Sequence, residues 1–393
     1  MYIKTATSDQ IPVRKAILEL AEQLGTESPS LLIVYFNANI NGRALTTALN
    51  AQWQCPLVGA TSHRGAMIIN ADEQASNACI SLMAIYDSQG HYGVGASTIQ
   101  GKPQAAATKA FEAALAQAGD SQGMPALLWC ALPPGNEESI LEQLQELTQY
   151  SVPIIGGSSA DNDISGLWQQ IYQEGADSGQ IVIAALFPSG SISYTCDSGY
   201  TPTQHSAVVT KAHGRVIYEL DNKPAAMIYN HWLNGQLNPM INGGDILALT
   251  TAYPLGRNID STANTAPGRY LLCHPDSITE NQGITLFATV AEGETVTLMK
   301  GSRHTLITHT QKMIDDALAQ LPKPAQPLGM VMIYCAGCAM ALDGDLNGLT
   351  ASIAQAHQKI PLIGNYTYGE QGYFLDNRSR HGNMMTSVVV FGH

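Results

Sequence analysis

The sequence predicts an α/β fold of pseudo-repeated α-β-α-β-β units forming mixed sheets, with an antiparallel β-rich insertion in its C-terminal half. Two observations carry the prediction. A proline opens and a glycine closes a short apolar run at Pro56-Leu57-Val58-Gly59, Pro153-Ile154-Ile155-Gly156 and Pro361-Leu362-Ile363-Gly364. Each run also follows an apolar strand (Leu31 to Phe36, Ala126 to Cys130, Met330 to Tyr334) and a helix-length segment (Gly42 to Trp53, Glu137 to Tyr150, Leu346 to Gln358). Self-similarity on this scale marks a repeated structural unit. Proline is tolerated at the first residue of a strand, and glycine is expected to serve the turn at its exit. Strands joined through a helix favour parallel pairing with right-handed crossovers.

In order, unit one opens with the helix Val13 to Leu24, whose Ile17, Leu18, Leu20, Ala21 and Leu24 form an apolar side. It closes with Cys79 to Tyr86 and His91 to Ser97 around the turn residues Asp87-Ser88-Gln89-Gly90, which predict a hairpin. Unit two follows the same plan, opening with the helix Gln104 to Ala118 and closing with Gln180 to Phe187, the turn Pro188-Ser189-Gly190 and Ser191 to Asp197. Asn136, with Glu138 and Ser139, is predicted to cap its second helix. From Thr201 to about Arg303 the repeat is interrupted by strands Ala207 to Thr210, Val216 to Leu220, Ile246 to Thr250, Tyr270 to Cys273, Ile284 to Val290 and Thr295 to Lys300. A helix, Pro224 to Leu233, lies among them, and the connector Tyr253 to Gly268 is long enough to suggest function. Unit three opens with Thr305 to Leu321. Residues 1–200 and 201–393 are the expected domains.

A chain of 393 residues, 45% of them apolar, can bury sizeable cores. A net charge of −13 with only 19 Lys and Arg argues against nucleic acid or an anionic membrane as partner. The N-terminal residues lack a signal-peptide pattern and no apolar run reaches membrane-spanning length, so a cytoplasmic protein is expected. Seven cysteines, mostly in apparent strands, read as reduced and buried.

Several motifs resemble the sensory module called FIST: Gly156-Gly157-Ser158-Ser159, Cys335-Ala336-Gly337 with Ala341-Leu342, and the run from Pro361 to Glu370. The resemblance covers nearly the whole chain as N and C domains. It implies an intracellular ligand-binding sensor, and similar stand-alone bacterial proteins bind haem, sense nitric oxide and act through a partner histidine kinase. No fused output domain is expected here, and a homodimer is kept open. The alternative is a haem-free sensor of an amino acid or other metabolite. Two departures bear on that choice: Cys338 stands where many relatives carry a basic residue, and Cys273 where many carry arginine.

Iron in haem needs an axial donor, most often imidazole. Among 11 histidines, His274 precedes the rigid Pro275, His231 sits beside Trp232 late in a helix, and His63 follows the first repeated strand. They are the candidate axial ligands in that order, against the plainer readings of a strand-end residue, a helix C-terminal cation and a turn residue. The ligand pocket is placed on the C-terminal side, with Asn365, Tyr366, Tyr368, Glu370, Tyr253, Arg257, Cys335, Ser158 and Ser159 as its residues. The plainer reading has Tyr366 and Tyr368 packing between domains. Cys335 and Cys338 form a C-x-x-C pair without the further ligands of a zinc site. With no G-x-S-x-G elbow, phosphate loop or H-E-x-x-H, the chain is expected not to be an enzyme. The enzyme alternative is a cysteine-dependent amidase or acyl transferase using Cys335, with Glu370 orienting a histidine base.

Overall fold

The computed structural model describes residues 1–70, 75–119, 123–259, 270–342, 345–357, 360–374 and 376–393. Unit one comprises β1 (Tyr2–Ser8), α1 (Val13–Leu24), β2 (Leu31–Asn37), α2 (Gly42–Gln52), β3 (Leu57–Ser62), β4 (Ala66–Ile69), β5 (Ala75–Ala78) and β6 (Ile80–Tyr86). Unit two repeats this as β7 (His91–Thr98), α3 (Pro103–Ala118), β8 (Leu127–Leu132), α4 (Glu137–Leu147), β9 (Ile154–Ser158), β10 (Gln170–Tyr172), β11 (Gly175–Asp177) and β12 (Gln180–Phe187). Unit three begins at β13 (Ser191–Asp197).

It is then interrupted by β14 (Thr201–His213), β15 (Val216–Leu220), β16 (Lys223–Pro224), α5 (Ala225–Trp232), β17 (Gly244–Asp245), α6 (Leu247–Thr250), β18 (Leu255–Asn258), β19 (Tyr270–Cys273), β20 (Pro275–Ile278), β21 (Ile284–Leu286) and β22 (Thr295–Lys300). It resumes with α7 (Arg303–Ala319), β23 (Pro327–Cys335), α8 (Ala336–Ala341), α9 (Leu346–Ala356), β24 (Leu362–Thr367), β25 (Gly369–Tyr373), β26 (Ser379–Gly382) and β27 (Thr386–Gly392).

The units exchange arms in a closed cycle. Each six-stranded sheet takes four strands from its own unit and two from another, in the orders β1-β6-β2-β3-β10-β11, β7-β12-β8-β9-β25-β26 and β13-β27-β23-β24-β4-β5. Unit two thus lends β10 to β3, unit three lends β25 to β9, and unit one lends β4 to β24. Within each sheet the repeated pair is parallel, β2 with β3, β8 with β9 and β23 with β24, as the intervening helices predict. The inserted strands form a separate sheet, antiparallel throughout its pairings.

Apolar residues fill both faces of these strands. The inner faces share one core, with Ile33 and Val58 from the first sheet, Trp129 and Ile155 from the second, and Ile333 and Val389 from the third. Outer faces bury against helices: α1 and α2 for the first sheet, α3 and α4 for the second, and α7 and α9 for the third. That explains runs such as Leu-Leu-Ile-Val-Tyr-Phe, continuous rather than alternating. The insertion has its own core around Tyr229, Leu255 and Val296.

The repeated prolines have equivalent roles. Pro56, Pro153 and Pro361 offer their carbonyls to the N–H of Leu32, Leu128 and Met330 at 3.0, 2.9 and 2.8 Å. The glycines do not end their strands as expected, because β3, β9 and β24 run on past them. At two of the three, glycine is needed for close approach: a Cβ at Gly59 would lie 2.4 Å from the Val34 carbonyl oxygen, and at Gly156 2.0 Å from that of Cys130, whereas at Gly364 the equivalent Met332 oxygen would be 3.4 Å away.

Other expectations change. The turns after β6 and β12 do not make hairpins, since β7 and β13 leave to edge the next sheet. Asp87 instead ties the two turns together, accepting from Ser189 Oγ at 2.5 Å and Ser189 N at 2.8 Å. Residues expected as a strand from Ile246 to Thr250 form α6, and the strand predicted to reach Val290 stops at Leu286. Asn136 makes no side-chain cap, and α4 ends before Tyr150, where Gln149 and Tyr150 turn left-handed at φ of 51° and 58°. The boundary drawn at residue 200 is crossed by the exchanged strands and by β13 pairing with β27. Part of the connector Tyr253 to Gly268 is β18; Asn264, Pro267 and Gly268 lie outside the described residues, as does Gln358. No helix among the described residues is long and apolar enough to cross a membrane.

Gly59→Ala should lower stability by about 1–3 kcal/mol through forced separation of β2 and β3. Gly175→Ala, where a Cβ would meet nothing within 4 Å, should be near neutral. Denaturation midpoints of the two variants check this, and equal midpoints contradict it.

Candidate functional site

The segments leaving the three parallel strand pairs knit together. Tyr368 N donates to Ser158 O at 3.0 Å, Ala160 N to Thr61 O at 3.1 Å, and His63 N to Tyr366 O at 3.1 Å. Donors and acceptors occupy equivalent positions in the three units, so the bonds close a ring. Side chains reinforce it: Ser62 Oγ accepts from Tyr366 N at 2.9 Å, and Tyr368 donates its hydroxyl to Asp161 Oδ1 at 2.6 Å.

Beside this ring lies a cavity of about 110 Å³. Unit two contributes Pro134, Glu137, Ile164 and Trp168 to its wall. The insertion adds Arg215, Leu247, His274 and Phe287, and unit three adds Cys335, Gly337, Met340, Thr367, Tyr368 and Asn383. Two units that share a core and an insertion with a core of its own therefore meet around one hollow. Trp168 stands edge-on to Tyr368 with ring centroids 6.1 Å apart. The Asp161 carboxylate fixes the chain approaching Trp168 by accepting from Ile164 N at 2.6 Å and Leu167 N at 2.8 Å. Burial opposes its charge, yet the Tyr368 hydroxyl and these N–H groups hold the Asp161 carboxyl below its ordinary range.

A charged cluster forms one rim. Arg215 Nη2 bridges Glu137 Oε2 at 2.6 Å and Glu138 Oε2 at 2.7 Å. Glu137 is almost wholly buried and also accepts from Ser158 Oγ at 2.8 Å and Gly135 N at 2.9 Å. Glu138 accepts from Thr289 N at 2.7 Å, fixing the insertion against α4. Burial works against both charges, but His381 and Arg215 hold the Glu137 carboxyl below its ordinary range and that of Glu138 down at about 2. Glu137, Glu138 and His381 have ligand atoms within 4.8 Å of one another, but Arg215 already takes both carboxylates.

The structure sorts the predicted residues. Cys335 and Tyr368 line the cavity, and Ser158 stands behind Glu137. Ser159 is turned to the Gln170 amide at 2.9 Å. Asn365 and Tyr366 are buried beneath the ring, Tyr366 donating its hydroxyl to Asn77 at 2.5 Å. Glu370 is buried beside Cys335, with Thr367 Oγ1 at 2.7 Å and Met385 N at 3.1 Å. Burial first, and the Cys335 thiol next, push the Glu370 carboxyl well above its ordinary range. Tyr253 and Arg257 are brought elsewhere: Tyr253 packs in the insertion's core, and Arg257 faces a separate open cleft, donating to Thr289 O at 2.8 Å. Sequence reasoning missed Arg215, Phe287, Trp168, Asp161 and Asn383. Glu137 was legible only as the first residue of a helix, and Glu138 as the acid of its first turn.

Haem does not fit these residues. His274 is buried, its Nε2 donates to Leu247 O at 3.2 Å, and the hollow it faces is far below the roughly 300 Å³ at which ligand pockets of drug-sized molecules begin. His231 is exposed on α5. His63 is buried with Nδ1 donating to Asp161 O at 2.8 Å. The larger cleft of about 840 Å³ presents His381, whose Nε2 is spent on Phe287 O at 3.2 Å. The thiol chemistry is equally unsupported: Cys335 donates to Met384 Sδ at 3.8 Å, and burial pushes its thiol well above the ordinary range rather than toward thiolate. All seven cysteines are free.

Comparison with known proteins places the chain. The FIST N domain model matches residues 30–223 and the FIST C domain model residues 225–373. The chain belongs to the FIST-domain proteins. FIST domains are sensory modules of signal transduction, which supports a ligand-binding sensor. An uncharacterized protein of Methanocaldococcus jannaschii is 38% identical over 100 residues, which are 25% of this chain, so the chain spans about a fifth (19%) of that relative's length. Two solved structures align along the FIST chain: a cyanuric acid hydrolase at TM-score 0.35 and 8% identity, covering 99% of this chain and 98% of that one, and the cyanuric acid hydrolase from A. caulinodans at 0.29 and 10%, covering 98% and 97%. On this finding the expectation that the chain is not an enzyme is withdrawn. At these scores the likeness transfers no residue role.

Two outcomes follow from the electrostatics. Because Glu137 and Glu138 are depressed, their stabilisation is present above the ordinary carboxylate value and lost as pH falls toward about 2. Arg215→Met should cost about 3–5 kcal/mol near neutrality and flatten that acid limb in denaturation midpoints measured from pH 6 to 2. Glu370 has the opposite sign, since a raised carboxyl destabilises the fold as pH climbs above its unfolded value. Glu370→Gln should match or exceed the parent's midpoint at pH 7, and the advantage should vanish by about pH 4.

Proposed function

We propose that this FIST chain is a sensor that encloses a small, largely apolar molecule in the hollow between unit two, unit three and the insertion. Occupancy is passed to a separate signalling protein, such as a histidine kinase, in the cytoplasm. The observation that carries this reading is the composition of the cavity wall: the insertion, which has a core of its own, supplies it together with units two and three. A molecule bound there contacts all three, so it stabilises the arrangement in which they meet over any in which the insertion stands away. That differential affinity is what a binding event needs in order to become a signal.

Charge narrows the ligand. Arg215 is the cation among the described lining residues, and two carboxylates already offset it, so an anionic ligand gains little there. Cys273, where many relatives place arginine, is buried with its thiol donating to Leu255 O at 3.4 Å. Both observations favour an uncharged metabolite over an amino acid held by its carboxylate. The volume is smaller than an engineered apolar hole of about 150 Å³ that binds benzene, so about six or seven non-hydrogen atoms is the upper limit.

Thermal-shift screening of small neutral metabolites tests the reading, because a ligand at about 100 times its Kd adds about 2.7 kcal/mol to the folded state. A hit should lose its shift in Gly337→Ala, whose new methyl would lie 3.3 Å from His274 Nδ1 and 2.5 Å from Met384 Sδ. It should also slow amide exchange at Thr289. Hits that shift the variant equally would place the ligand elsewhere.

A further inference from the structure

The histidine on the cavity wall has one nitrogen that the fold leaves unused. His274 is 3% exposed and sits between β19 and β20. Its Nε2 lies 3.2 Å from the Leu247 carbonyl oxygen. A carbonyl can only accept, so the proton is on Nε2 and Nδ1 carries a bare lone pair. Burial pulls the ring's pKa down to about 4, so the imidazole is neutral at physiological pH. No described residue bonds to Nδ1. It faces Gly337, where a side chain would stand 3.3 Å from it, and both residues line the hollow.

The surrounding wall leaves this acceptor without a protein donor. Phe287, with its ring 6.1 Å from that of His274, and Leu247 and Met340 are apolar. The Tyr368 hydroxyl is given to Asp161, the Asn383 amide N–H to Tyr368 O at 3.2 Å, and the Thr367 hydroxyl to Glu370. The Nδ1 lone pair opens into the hollow, where a donor brought by a ligand can replace water as its partner.

We propose that the cavity selects small uncharged molecules carrying an N–H or O–H donor, read by His274 Nδ1 inside an otherwise apolar wall. This rests on the sensor reading above and adds the chemical class of its ligand. The compounds it admits are of the size of phenol or pyrrole. A hydrocarbon of similar size fits the same walls but leaves the lone pair unpaired. Because His274 belongs to the insertion, the hydrogen bond ties the insertion to the ligand specifically.

The test compares phenol with benzene on the full chain by calorimetric titration and by ¹⁵N spectra of histidine-labelled protein. Phenol should bind about tenfold more tightly than benzene, as one net hydrogen bond allows. The unprotonated Nδ1 resonance of His274 should move on adding phenol and stay in place with benzene. In His274→Phe, phenol should fall to the affinity of benzene. If that variant does not fold, the parent's phenol-to-benzene ratio and the Nδ1 resonance decide. Equal binding of the two compounds, with the resonance unmoved, overturns the donor selection and leaves the cavity as an apolar sensor site. Binding of neither overturns the cavity reading as well.

Discussion

Three backbone hydrogen bonds, each from the residue after one unit's strand pair to a carbonyl of another unit, hold the rest of the molecule in place. The ring from Tyr368 to Ser158, Ala160 to Thr61 and His63 to Tyr366 lies where these buried segments would otherwise leave amides and carbonyls unpaired. Because the bonds are cyclic, shifting one segment breaks two of them. The exchanged arms impose the same condition at larger scale, since each sheet is complete only when another unit lends two strands. Local rearrangement at the ring is therefore costly. Cys335, Thr367 and Tyr368 stand on a rigid base.

The equivalence of the three units stops at the side chains. His63, Ala160 and Tyr368 donate equivalent ring bonds, yet only Tyr368 reaches the cavity wall. Asn37 and Cys335 hold equivalent positions, opposite Ser62 and Thr367 across their strand pairs. Asn37 is locked to the Asn162 amide at 3.3 and 3.1 Å, whereas Cys335 lies open to the hollow. The insertion breaks the symmetry further, because it packs beside one junction and brings Arg215, His274 and Phe287 to it. A near-symmetric scaffold thus carries one asymmetric site.

Charge and cavity divide the work at that site. Arg215, Glu137 and Glu138 fasten the insertion to α4 with charge-assisted hydrogen bonds and leave little net attraction for an ion. Inside the rim the wall is largely apolar, and its hydroxyl and amide donors are already committed. A buried, unpaired charge would be costly there, and a neutral molecule is not.

The sequence by itself determined the three repeated units, the order of helices and strands within them and the presence of an inserted β-rich stretch, because each of these is written in local periodicity and in turn chemistry. It also marked Cys335 and Tyr368, since motif residues at strand ends lie near any site built there. It placed the hairpins wrongly after β6 and β12, because Asp87-Ser88-Gln89-Gly90 and Pro188-Ser189-Gly190 specify a turn but not which sheet receives the next strand. Only the tertiary structure decided which unit lends its arm to which, and that Arg215 meets Glu137 from 78 residues away. The physical reason is closure: a strand pattern records which faces must be buried, while the partner that buries them is fixed only when all three sheets share one core.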